Sequence, residues 1–109
     1  MKLSLVKDIF NKNSKKMALA TIINASGSSP RDSGAAMVIF EDEEILGTIG
    51  GGEVEKSVYD KALEYLKNEN YEKSKKLHFD ISNEEAAEVG GICGGKVDIL
   101  LEIINLKEE

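Results

Sequence analysis

The chain has one cysteine, one histidine, one proline and no tryptophan in 109 residues, and one of its 14 basic residues is arginine. A single cysteine, Cys93, excludes an internal disulfide. With His78 as the only histidine, a closed zinc site built from Cys and His within one chain is excluded too. No apolar run approaches the roughly 20 residues of a membrane span. The opening stretch MKLSLVKDIFNKNSKK breaks its apolar residues with Lys and Asp. It lacks the core of a signal peptide, so a cytoplasmic location is expected. The net charge of −6 argues against nonspecific binding to nucleic acid or to an anionic membrane. Internal repeats, low-complexity tracts and long linkers are absent, and one domain over residues 1–109 is expected.

The apolar pattern predicts seven elements. Residues 4–13 read as a short helix, with Ser4 as a cap and Leu5, Val6, Ile9 and Phe10 at helical spacing. Residues 17–25 are apolar on both faces, as in a buried strand. Residues 35–40 and 45–49 read as two more strands joined by an exposed turn at Glu41-Asp42-Glu43-Glu44. Residues 53–68 form the clearest helix, with Val54, Val58, Ala62 and Leu66 recurring every four positions. Residues 75–81 and 96–104 are the last strands. In the latter, Val97, Ile99, Leu101 and Ile103 share a face. The class is α+β. Because a strand, helix, strand succession favours a parallel neighbour and a hairpin is antiparallel, a mixed sheet of about five strands with two main helices is expected.

The ten glycines fall in three clusters between residues 27 and 95. The first is Gly27-Ser28-Ser29-Pro30-Arg31-Asp32-Ser33-Gly34, which holds the only proline and the only arginine. Arg31 offers a planar fork for a phosphate or carboxylate, Ser28 and Ser29 add hydroxyl donors, and Pro30 stiffens the approach. A plain surface ion pair with Asp32 or a glutamate is the competing reading. The second cluster, Gly47-Thr48-Ile49-Gly50-Gly51-Gly52, opens the long helix. Free N–H groups there attract anions, but Glu53 and Glu55 in the first turn would repel a phosphate. The motif is neither a Walker loop nor a dinucleotide fingerprint. In the third, Gly90-Gly91-Ile92-Cys93-Gly94-Gly95, Cys93 sits among backbone groups able to stabilise a thiolate, a soft metal or sulfur ligand. An inert small hydrophobe is the alternative. His78 alternates with Leu77 and Phe79, should face solvent or a polar patch, and reads as structural. Lys73, Lys75 and Lys76 read as a solvated strand edge.

Together these loops resemble a known family. Gly27-Ser28-Ser29-Pro30-Arg31 followed by Gly34-Ala35-Ala36-Met37-Val38, then Gly47 to Gly52 with Val54-Glu55, then Cys93-Gly94-Gly95-Lys96-Val97 resemble the three motifs of the XdhC/CoxI family, in family order. The resemblance implies an accessory protein rather than an enzyme. Such proteins bind molybdenum cofactor, as molybdopterin or a nucleotide form, and assist its sulfuration with a cysteine desulfurase. They deliver it to a molybdenum hydroxylase apoenzyme such as xanthine dehydrogenase. On that basis Ser28, Ser29 and Arg31 hold anionic oxygens, and the backbone of Gly50, Gly51 and Gly52 lines the site. Cys93, with Gly94 beside it, approaches the molybdenum or the transferred sulfur. Two features depart from the family pattern. Glu53 stands where relatives often carry cysteine, so a two-cysteine arrangement within one chain is excluded. The C-terminal Rossmann-like domain of typical members does not follow, which implies a homo-oligomer or a separate chain supplying that domain. Two other readings remain open: a cysteine-dependent sulfurtransferase with Cys93 as its catalytic residue, and a regulatory scaffold that no longer binds cofactor.

Overall fold

A computed structural model describes residues 3–12, 14–26, 34–68, 73–80 and 95–106. The elements are α1 (Leu3–Lys12), β1 (Lys16–Ser26), β2 (Ala36–Phe40), β3 (Ile45–Gly47), α2 (Gly52–Lys67), β4 (Ser74–Asp80) and β5 (Lys96–Asn105). The strands form one five-stranded sheet in the order β3-β2-β1-β5-β4. The α+β class, with five strands and two helices, is as expected.

The pairing differs from the mixed sheet expected: every described pair is antiparallel. The cause lies in the crossover. β3 and β4, joined through α2, do run in the same direction, as a strand, helix, strand succession favours. They occupy opposite edges of the sheet, however, so they never become neighbours. β1, β2 and β5 fill the space between them.

Two apolar layers hold the helices on opposite faces. On one, Ala18, Ala20 and Ile22 of β1, Met37 and Ile39 of β2 and alternate residues of β5 from Val97 to Ile103 meet Val54, Val58, Ala62 and Leu66 of α2. The four-residue spacing of those α2 side chains places them on one stripe, so a single helix packs on the three central strands β1, β2 and β5. Lys16 of β1 donates to the carbonyl of Leu66 at 3.0 Å, satisfying an end group that the helix itself cannot. On the other face, Leu5 and Ile9 of α1 pack on Met17, Leu19, Ala36, Val38, Leu46 and Phe40. β2 is therefore buried along its whole length, which explains its uninterrupted apolar sequence. No helix among the described residues is long and apolar enough to cross a membrane.

Candidate functional site

Strand direction decides where the glycine clusters go. β1, β3 and β4 run one way and β2 and β5 the other. The C-terminal ends of β1, β3 and β4 and the starts of β2 and β5 therefore share one end of the sheet. Ser26 pairs with Lys96, and Lys96 pairs with Asp80, at that boundary. The β1–β2, β3–α2 and β4–β5 connections all leave from it, and these three connections carry the three glycine clusters. Of the candidate residues, Ser28, Ser29, Arg31, Cys93 and Gly94 lie outside the described residues, while Gly50, Gly51 and Gly52 lie within them. The topology places the roots of all three loops at one end of the sheet.

The β3–α2 loop has its own internal anion. Glu55 Oε1 accepts the Thr48 hydroxyl at 2.5 Å, the Ile49 N–H at 3.1 Å and the Gly51 N–H at 3.3 Å. Thr48 Oγ1 in turn accepts the N–H of Gly50 at 3.1 Å. Two backbone donors and a hydroxyl of the loop that leads into α2 are thus turned onto a side chain of the helix's first turn. In the sequence Glu55 reads as a first-turn charge that stabilises the helix and repels phosphate. Its actual part, tying the loop to the helix, depends on a bend that brings residue 48 back beside residue 55. Gly51 adopts φ 76°, ψ −167° to allow that bend, a conformation in which an L side chain is strained. Replacing Glu55 with alanine would leave the N–H of Ile49, a residue 1% exposed, without this acceptor. The expected cost is about 1–3 kcal/mol, read as a lower urea midpoint with an unchanged slope.

A polar row crosses the sheet at the same end, on the face opposite α2. Asn24 of β1, Asp98 of β5 and His78 of β4 lie side by side, because Asp98 pairs with both. His78 Nδ1 is 2.5 Å from Asp98 Oδ1, Asn24 Nδ2 donates to Asp98 Oδ2 at 3.5 Å, and Lys76 Nζ lies 3.9 Å from the same oxygen. The hydrogen bond from His78 is the main force holding the Asp98 carboxyl below its usual range. Asn24 and Lys76 act in the same direction, and partial desolvation opposes them. An ionised carboxylate can only accept, so Nδ1 of His78 carries the proton and Nε2 is the outward position. A register shift in β1 between Ile22 and Asn24 sets Asn24 beside Asp98. Single-sequence reading reaches the polar surroundings of His78 but not these partners, since they come from three different strands. Among the described residues, no group of three or more His, Cys, Asp or Glu is placed to hold a metal.

The fold and these loops define a small α+β module whose glycine-rich connections gather at one end of an antiparallel sheet. A model of the XdhC and CoxI family matches residues 11–80, and the chain belongs to that family. Over 90 residues, 83% of the chain, it is 34% identical to YqeB, an uncharacterized protein of Escherichia coli (strain K12), and covers 16% of it. The crystal structure of a xanthine dehydrogenase from Bacillus halodurans matches 95% of the chain with a TM-score of 0.76 and 29% identity, over 30% of that protein. The chain therefore spans less than a third of the length of each.

Proposed function

We propose that this protein is an accessory factor in the maturation of a molybdenum hydroxylase such as xanthine dehydrogenase. It holds molybdenum cofactor, as molybdopterin or a nucleotide form, during sulfuration and insertion. The observation that carries this reading is that the three glycine-rich connections all start from one end of the sheet. Membership of the XdhC and CoxI family supports it. The likeness to a chain named a xanthine dehydrogenase supports the choice of client.

The donor set suits such a cargo. A guanidinium fork and hydroxyls at Arg31, Ser28 and Ser29 match a phosphate, and a thiolate at Cys93, next to Gly94, matches a soft metal or sulfur. The second loop plays a different part. Since Glu55 already receives N–H groups of Ile49 and Gly51, Gly50, Gly51 and Gly52 line the site as shape, and the anionic end of the cargo goes to the Arg31 loop. The partners in this reading are the hydroxylase apoenzyme and a cysteine desulfurase in the cytoplasm. A second copy or a Rossmann-like chain completes the assembly.

The test is an anaerobic titration of the purified protein with molybdenum cofactor. Wild type should bind saturably. Arg31→Ala should weaken binding about 10- to 100-fold, the worth of a charge-assisted pair of hydrogen bonds. Cys93→Ser should weaken it less. Absence of saturable binding by wild type at micromolar protein would refute the carrier role.

A further inference from the structure

We propose that two copies of this chain associate through the edge strand β4, paired antiparallel about a two-fold axis at His78, so that their five-stranded sheets join into one. The pairing gives a surface to the second copy invoked above, and it holds whether or not cargo is bound.

The edge itself is the first support. β4 ends the sheet order and pairs only with β5 among the described residues. The N–H of Ile103 donates to the carbonyl of Lys73 at 2.8 Å, and hydrogen-bonded pairs alternate along an antiparallel ladder. Lys73, Lys75, Leu77 and Phe79 therefore turn their backbone groups to β5, while Ser74, Lys76 and His78 turn theirs outward. Proteins usually blunt such an edge with a short strand, a bulge, proline or charge. β4 is seven residues long, contains no proline and pairs with β5 without a register shift. The opposite edge, β3, is three residues long and lies against α1. A two-fold pairing consumes the β4 edge of both copies and leaves the short β3 strands outermost, so the assembly closes as a dimer instead of growing into a fibre.

The second support, which selects the occupant, is complementarity. With the axis at His78, Lys76 of each copy stands opposite Asp80 of the other, and Leu77 stands opposite Phe79. The two Lys76–Asp80 pairs lie on the face away from α2. The Leu77–Phe79 pairs lie on the α2 face, where both side chains are partly buried against the core, and they carry that apolar layer across the junction. Centring the axis on Leu77 would set Lys76 opposite His78, and centring it on Lys76 would set two lysines together, so charge selects the register. A lysine guards an edge when nothing opposite neutralises it; here Lys76 meets a carboxylate. Its present contact with Asp98 is 3.9 Å long and its side chain is 64% exposed, so it reaches across at little cost. Asp80 keeps its existing partner, because a carboxylate accepts at both oxygens. His78 leans onto Asp98 of its own sheet, with Nδ1 2.5 Å from Oδ1, which draws its ring away from the axis.

The experiment is sedimentation equilibrium of the cofactor-free protein, comparing wild type, Lys76→Asp, Asp80→Lys and the double variant that carries both. Wild type should sediment as a dimer. Each single variant turns two attractive pairs into repulsive ones and should weaken dimerisation about ten-fold. The double variant restores opposite charges across the axis and should recover wild-type affinity. Within one chain, residues 76 and 80 are about 13 Å apart along the strand, and Lys76→Asp sets a second carboxylate beside Asp98 in single and double variants alike. Recovery therefore reports contact between copies and not repair of the fold. His78→Pro removes an outward N–H, leaves the bonds to β5 in place and should give a monomer that is folded by circular dichroism. A wild-type monomer at about 100 μM, a dimer indifferent to the single changes or to His78→Pro, or a double variant no better than the singles would each overturn the inference. None of these outcomes bears on cofactor binding, which the titration above tests by itself.

Discussion

Phe40→Ala is expected to remove about 3–5 kcal/mol of folding stability, the usual cost of deleting a fully buried aromatic ring. Phe40 is the last residue of β2 and has no exposed surface. Its ring lies in the layer formed by Leu5 and Ile9 of α1, Met17, Leu19, Val38, Leu46 and Ile104. Lys12 extends over the ring, 5.3 Å from its centre, and binds Asp42, at 2.6 Å, and Glu44 in the β2–β3 turn. The backbone of Phe40 also closes that turn, donating to Glu44 and accepting from Glu43, each at 2.9 Å. One side chain thus joins α1, the hairpin and the sheet. A domain of this size has about 5–15 kcal/mol in total, so the loss takes a large share of it. Urea denaturation measures it directly. Phe10, 80% exposed on the same helix, supplies the control: Phe10→Ala should change stability by less than about 0.5 kcal/mol. Equal losses for the two would mean that α1 does not dock as described.

The comparison of those two phenylalanines marks a boundary of what periodicity reveals. Phe10 falls at helical spacing with Leu5, Val6 and Ile9, and the pattern alone gives no reason to bury one apolar edge of a short helix rather than another. The choice is made by a sheet face assembled from β1, β2 and β3, distant in sequence. In α2 the pattern is less ambiguous: Val54, Val58, Ala62 and Leu66 stand against charged residues on the opposite side, and all four are buried. The strands were legible to within two residues for a similar reason, since alternation in β5 separates Val97, Ile99, Leu101 and Ile103 from Asp98 and Glu102.

Sheet order was not legible, because nothing local distinguishes a helix returning to the adjacent strand from one crossing to the far edge. That single fact turned an expected mixed sheet into an antiparallel one. It also governs the candidate site. Three glycine clusters can be read directly from the chain, but that their roots share one end follows only from the directions of five strands. Glu55 and the Asn24, Asp98 and His78 row were hidden for the same reason. Each group contacts partners brought beside it by a loop bend or by strand pairing.

Gly47→Ala should cost about 2–5 kcal/mol, combining backbone strain with a steric conflict. Gly47 has φ 78°, in the left-handed region that disfavours an L side chain. It ends β3, which explains why that strand stops at residue 47 rather than reaching Ile49 as the apolar pattern suggests. A Cβ there would lie 2.5 Å from the carbonyl oxygen of Ala36 and 3.4 Å from Cδ2 of Leu5. The first neighbour is backbone of the paired strand β2, so relief requires moving the strand, not turning a side chain. Gly51 has nearly the same φ, 76°, but a Cβ there would meet nothing within 4 Å. Gly51→Ala should therefore cost only the conformational part, about 1–3 kcal/mol. Denaturation of the two variants separates the contributions. A clear excess for Gly47→Ala assigns that glycine to close packing of β3 on β2. Equal costs would reject the steric account and leave φ alone as the reason for glycine at both positions.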